Sequence, residues 1–151
     1  LPMSDFAAGA DSQPPILTHR VAIGSAICYE IVYPDLVAER ARDANVLLTV
    51  SNDTWFGRSI GPLQHLQMAQ LRALENGRYV IRATSNGVTA IIDDQGQLRE
   101  QAPQFETASV VGDVVPMTGL TPFTRTGSWP TWILSLLLLA PALVWKARQP
   151  T

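Results

Sequence analysis

The chain has 151 residues, of which 46% are AVILMFWYC and 16% are charged, whereas a typical soluble domain is about 25% charged. Its one cysteine, Cys28, excludes an intrachain disulfide and a cysteine-rich zinc site, and a net charge of −2 leaves no electrostatic footprint for nucleic acid. Ten of the eleven basic residues are Arg, and the one Lys, Lys146, lies close to the C-terminus, so the body of the fold holds no lysine for catalysis.

The length fits one domain with a real core. The sequence opens at Leu1 with no signal-like region and reads as a fragment of something longer. Residues 1–20, rich in Pro, Gly, Ser and Asp, form a loop. Val21–Cys28 is an apolar run of strand length. Pro34 opens a helix to about Ala44, with Leu36, Val37, Ala41 and Ala44 on one side. Asn45–Val50 is a second strand, followed by the loop SNDTWFGRSIGP. Pro62–Asn76 is a helix burying Leu63, Leu66, Ala69, Leu71, Ala73 and Leu74, with Gly77 as its stop. Tyr79–Thr84 and Val88–Ile92 are strands about a Ser-Asn-Gly turn, and Asp93–Gly96 is a further hairpin turn. Ser109–Val115 is a last strand. Strand, helix, strand, helix and then strands make an α/β pattern.

The low charge traces to the C-terminus, where seventeen residues from Trp129 to Trp145 carry none. As a helix this run is about 25 Å long at about 1.5 Å per residue, slightly short of a hydrocarbon core of about 30 Å. Trp at both ends, with Lys146 and Arg148 following, fits a transmembrane helix whose C-terminal end is cytoplasmic. A buried core helix or an interfacial helix is the plainer alternative, and Pro141 interrupts the run. The expected division is residues 1–125 as an α/β body and 126–151 as a transmembrane helix with a short tail. The body, residues 1–128, carries −4 and the remainder +2.

Cys28 ends a strand, and α/β folds place ligands at such ends. There its sulfur can face a cleft, with the next backbone N–H at an oxyanion site. A small buried hydrophobe is the competing role for this thiol. A nucleophilic thiol also needs a base, and Glu30, Asp53, His65 and Glu75 are the candidates. Trp55 and Phe56, beside polar residues, fit a lid over an apolar substrate or a surface turn with its rings packed inward. His65 is by default a capping or core histidine, and Arg72 with Glu75 a local ion pair. With one Cys and two separated His, no metal site has ligand spacing, and no cofactor motif is present.

Ile27-Cys28-Tyr29-Glu30 after an apolar strand resembles the nucleophile motif of the nitrilase (carbon–nitrogen hydrolase) superfamily. Ser51-Asn52-Asp53-x-Trp55-Phe56-Gly57, then His65 and Arg72–Asn76, are similar to its following blocks. Thr118–Pro122, Arg125–Gly127 and Trp129-Pro130, running into an apolar helix, resemble the apolipoprotein N-acyltransferase family. The resemblance covers nearly the whole chain. It implies part of an αββα nitrilase-like sandwich facing the periplasm of a bacterial inner membrane. It implies acyl transfer from a phospholipid donor to the diacylglyceryl-cysteine of an apolipoprotein acceptor, through a thioester and without cofactor or metal. By this match Cys28 is the nucleophile and the Tyr29 N–H serves the oxyanion. Glu30 is an active-site carboxylate, Trp55 and Phe56 belong to a substrate-entry loop, and Asn52 and His65 shape the site. The family's Glu and Lys of the triad precede the Cys and have no counterpart here, so the chain alone is expected to be inactive. Rival expectations are a nitrilase-type amidase acting on a small amide, and a truncated non-enzymatic membrane-anchored domain.

Overall fold

The computed structural model describes residues 9–10 and 12–147, with side chains described as far as residue 140. Three apolar runs bounded by turn residues form the centre of one mixed sheet: β2 (Ala22–Ile27), β3 (Val46–Asn52) and β4 (Tyr79–Ser85). The sheet is completed by β1 (Ile16–Leu17), β5 (Ala90–Ile92) and β6 (Leu98–Gln101), and its spatial order follows chain order. β2, β3 and β4 are mutually parallel, because α1 (Pro34–Arg42) and α2 (Gly61–Asn76) return the chain between them. The outer pairs are antiparallel hairpins or turns.

Both helices lie on one sheet face. Ala26, Leu47 and Val80 from the strands meet Val37 and Ala41 of α1 and Leu66, Ala69 and Ala73 of α2 in the main core. Gly24 permits the close approach of α1, since a Cβ there would stand 2.9 Å from the Arg40 carbonyl oxygen. α2 starts with Pro62 in its first turn and stops at Gly77, which adopts the left-handed φ of 57°.

The buried stripe of α2 differs from the expected apolar arc. Pro62, His65, Leu66, Ala69, Arg72, Ala73 and Asn76 are buried, whereas Leu63, Leu71 and Leu74 are exposed. The buried polar groups hold their inward positions because each finds a partner: His65 on Asp53, Arg72 on Glu75, and Asn76 on the Arg72 carbonyl.

The opposite sheet face is half covered. Val46, Tyr79 and Ile91 are buried there under Val110, Val114 and Met117. Ser109–Val115 is therefore not a strand. Val110 and Val114 pack onto the sheet as side chains, Val111 and Val115 are exposed, and its backbone joins no ladder. β-branched composition reports fit to such a surface as much as strand pairing. Farther along this face the cross-strand neighbours Ile27 and Val50 stay 65% and 47% exposed.

The segment after Met117 is strapped to the helix side by polar contacts. Arg78 is buried and donates to the carbonyls of Ala44 at 2.8 Å and Gly119 at 2.5 Å. Burial pulls its guanidinium below the ordinary value. Thr121 Oγ1 donates to the Glu75 carbonyl at 2.6 Å, and Thr124 Oγ1 to Asn76 Oδ1 at 3.0 Å. α3 (Pro122–Thr126) follows, and Ser128 then caps onto the Asp35 carboxylate of α1 through both N–H and Oγ.

α4 (Trp129–Ala147) continues from there as a 19-residue helix. From Trp129 to Leu139 its large apolar side chains are exposed. Among the described residues no helix is long and apolar enough to cross a membrane. The expected transmembrane span is thus not supported here: described side chains end at residue 140, and Trp145, Lys146 and Arg148 lie outside the described side chains.

The half-bare sheet face dictates how the body behaves by itself. Residues 1–125 expressed alone are expected to self-associate and to bind a hydrophobic dye, because contiguous apolar surface is left in water. Analytical ultracentrifugation and dye fluorescence test this. A soluble monomer with one sharp thermal transition and no dye binding contradicts it.

Candidate active site

β2 ends at Ile27, and Cys28 turns the chain sharply with φ at 53°, opening a 3₁₀ turn over Cys28–Val32. For a residue with a Cβ this conformation costs about 1–2 kcal/mol. Two hydrogen bonds hold it. The Glu30 carboxylate accepts from the Ile27 N–H at 2.8 Å, and His65 Nε2 lies 3.2 Å from the Cys28 carbonyl oxygen. A peptide unit is planar and trans, so its C=O and N–H point opposite ways. With the Cys28 carbonyl on His65, the Tyr29 N–H is directed away from α2. It also lies in the first turn, where N–H groups have no partner within the helix.

Ser51, Asn52 and Asp53 follow at the same sheet edge, at the end of β3 and the start of a 3₁₀ turn over Asp53–Phe56. Ser51 Oγ is 3.4 Å from Cys28 Sγ and 2.6 Å from Asp53 Oδ1. Asp53 is fully buried, with His65 Nδ1 at 3.0 Å from Oδ1 and Arg82 Nη2 at 2.7 Å from Oδ2. Arg82 stands on β4 and also donates through Nε to the Val88 carbonyl at 3.2 Å. Burial pulls Arg82 below the ordinary guanidinium value, and the Asp53 charge opposes that. Both ring nitrogens of His65 lie within hydrogen-bond distance of an oxygen, Nδ1 of Asp53 and Nε2 of the Cys28 carbonyl. Three elements thus converge behind the sulfur: the end of β3, the N-terminal half of α2 and the middle of β4.

The other anticipated residues fall around this centre. Tyr29 is exposed, with its ring 6.3 Å from His65 and 5.9 Å from Tyr33. Phe56 packs edge-on at 6.2 Å from His65. Tyr29, Phe56, Gly61, Gln64, His65 and Met68 line a cavity of about 130 Å³. Trp55 is 89% exposed. Asn52 faces its own turn, accepting from the Thr54 N–H at 3.2 Å. Of the proposed bases, Asp53 is held between His65 and Arg82, and Glu75 pairs with Arg72 at 2.8 Å. Arg72 also donates to the Val32 carbonyl, bracing the end of the cysteine turn. Burial raises Glu75 and lowers Arg72, each against the pull of the other's charge.

Ser51 and Arg82 were not anticipated as site residues. Arg82 had a legible signal: it lies two residues after Val80 in a strand, so both face the helices, and a buried arginine there needs a carboxylate. Ser51 had none, because only the pairing of β2 and β3 brings it beside Cys28. Among the described residues no three His, Cys, Asp or Glu side chains converge as a metal site.

A strained cysteine turn at the end of a parallel strand, within a mixed sheet, places the chain among nitrilase-like α/β proteins. It belongs to the carbon–nitrogen hydrolase family, which matches residues 2–122. Solved structures show the same fold. A carbon–nitrogen hydrolase from Helicobacter pylori aligns with a TM-score of 0.61 at 17% identity, over 68% of this chain and 43% of that one. Saccharomyces cerevisiae Nit3, a member of the nitrilase superfamily, aligns with a TM-score of 0.55 at 24% identity, over 67% and 40%. Among curated relatives, the apolipoprotein N-acyltransferase of Pseudomonas putida is 57% identical over 95% of this chain and 28% of its own length. That of Azotobacter vinelandii is 56% identical over 99% and 29%. The chain therefore spans under a third of the length of the curated relatives it matches.

Gly87 is the close neighbour that lets Asp53 sit where it does: an added Cβ would stand 2.8 Å from the Asp53 carboxyl carbon and 2.9 Å from its Cβ. Gly87→Ala is expected to destabilise the protein by about 1–3 kcal/mol through overpacking. Chemical denaturation measures it, and an unchanged midpoint would show that Asp53 can move aside.

Proposed function

We propose that this chain is the C-terminal part of an apolipoprotein N-acyltransferase, with Cys28 as acyl carrier. The observation that carries the reading is the Cys28 turn, a half-buried cysteine with φ at 53° at the end of β2 whose following peptide is held by His65. The 54–57% identity to proteins of that name supports it.

In the first half-reaction the thiolate attacks the acyl carbonyl carbon of a phospholipid ester. The carbonyl π electrons move to oxygen, where the Tyr29 N–H donates to the oxyanion. The oxyanion then collapses, the C–O bond breaks, and the lysophospholipid leaves as its alcohol after gaining a proton. The product is a Cys28 thioester. In the second half-reaction the α-amino nitrogen of the acceptor's diacylglyceryl-cysteine attacks the thioester carbon. The C–S bond breaks, the amine loses a proton, and an amide and the free thiolate result. Splitting one difficult acyl transfer into two easier steps is what a covalent nucleophile supplies. Glu30 braces the turn through Ile27, and His65 orients the Cys28–Tyr29 peptide. The exposed Trp55 and the Phe56 cavity form the entry side for acyl chains.

The exposed apolar surface of α4 is the membrane anchor in this reading. The body then lies on the periplasmic side of the inner membrane and Lys146 on the cytoplasmic side. The uncovered face with Ile27 and Val50 takes the second sheet of an αββα sandwich. The family's Glu and Lys have no match in this chain, so the 151 residues alone transfer nothing.

The test uses the full-length gene product with phospholipid and an apolipoprotein. A peptide containing Cys28 should gain the mass of one acyl chain, labile to hydroxylamine, and Cys28→Ala should lose both this adduct and the transfer. Ammonia release from small amides with no lipid-derived adduct would favour an amidase instead. Transfer by residues 1–151 alone would overturn the incompleteness of the chain.

A further inference from the structure

Ser51 has one hydroxyl proton and two neighbours that compete for it. Ser51 Oγ is the donor in both contacts, to Asp53 Oδ1 at 2.6 Å and to Cys28 Sγ at 3.4 Å, and the closer carboxylate takes the proton while the sulfur is a thiol. A thiolate reverses the demand, because it can only accept. We propose that Ser51 is a further catalytic residue, whose hydroxyl turns from Asp53 to the sulfur whenever Cys28 is a thiolate. The proposal rests on Cys28 being the nucleophile, and the hydroxyl keeps its proton throughout, so no bond is made or broken in the turn.

The surroundings keep the buried carboxylate partnered when this hydroxyl rotates. When Ser51 turns away, Asp53 Oδ1 keeps the His65 Nδ1 contact and Oδ2 keeps Arg82. Neither oxygen of the buried carboxylate is then left without a partner. The charged and titratable groups packed around the Cys28 turn come from four elements: Asp53 from its 3₁₀ turn, His65 from α2, Arg82 from β4, and Tyr29 with Glu30 from the cysteine turn. Glu30 is occupied with Ile27 and His65 with the Cys28 carbonyl. That leaves Ser51 as the side-chain hydroxyl within hydrogen-bond distance of Sγ. The same hydroxyl serves both half-reactions, because the thiolate is the attacking group in one and the leaving group in the other.

The experiment follows alkylation of Cys28 by iodoacetamide against pH in the full-length protein, where sulfur displaces iodide and only the thiolate reacts. Ser51→Ala is expected to slow alkylation about tenfold at neutral pH, the loss of one hydrogen bond to a charged group, while the alkaline plateau is unchanged. The pair Ser51→Thr and Ser51→Val shares one shape and differs in the hydroxyl. Thr should keep the wild-type profile and Val should follow Ala. Coincident profiles for Thr and Val, or a rate loss equal at all pH values, would overturn the proposal and leave Ser51 a packing residue. Acyl transfer is assayed in parallel. A Ser51-dependent profile without acyl transfer in the wild type would sink the functional reading alone, and transfer with a Ser51-independent profile would sink this one alone.

Discussion

The buried carboxylate of Asp53 is the constraint on which the rest of the site depends. A fully buried charge is tolerable only with partners, and removing one partner of such a pair costs about 3–5 kcal/mol. Asp53 has Arg82 on one oxygen and His65 on the other. Arg82 belongs to a central strand and His65 to the helix packed over it. Satisfying one side chain therefore fixes the height of α2 over the sheet and the path of the chain leaving β3. This polar knot sits at the end of an otherwise apolar core, where Leu66, Ala69 and Val80 fill the space behind it.

The strain at Cys28 makes sense against that background. Its left-handed backbone is unfavourable alone, and the position is held by a cysteine where glycine would relieve it. The His65 ring that completes the Asp53 pair also receives the Cys28 carbonyl, so the same buried bonds that hold the helix hold the turn. The alternative, a relaxed strand end with the sulfur turned inward, would leave the His65 Nε2 and the Glu30 carboxylate without these partners. Strain at the sulfur and satisfaction of the buried polar groups are thus one arrangement seen from two sides.

Much of this fold was legible, for identifiable reasons. α2 is bounded by Pro62 and Gly77, whose backbone restrictions act locally, and the observed limits differ from the expected ones by one residue. The Ser-Asn-Gly hairpin is likewise a local signal, with Asn86 at a φ of 58°. The errors occur where tertiary contacts decide. β1 and β6 are short and exposed, so no apolar run marks them. Ser109–Val115 has strand composition, yet its Val110 and Val114 cover the sheet instead of extending it. α2 has leucines outside and His65, Arg72 and Asn76 inside, because those polar groups meet partners contributed by distant segments. At the centre, Cys28, Glu30 and His65 stood out by type, whereas Ser51 became visible only through the β2–β3 register.

α2 joins the two halves of the arrangement. Near its start His65 orients the peptide after Cys28, and near its end Asn76 accepts from Thr124 while the Glu75 carbonyl accepts from Thr121. Eleven residues separate His65 from Asn76, about 16 Å of continuous helix at about 1.5 Å per residue. α1 adds a second connection, through Asp35 to Ser128 immediately before α4 and Arg42 to the Thr124 carbonyl. The reactive-looking sulfur and the exposed apolar helix are therefore held in one frame by rigid helices and buried side chains. The buried polar groups of α2 maintain that relation, because His65 reaches the Cys28 peptide at one end and Asn76 reaches Thr124 at the other.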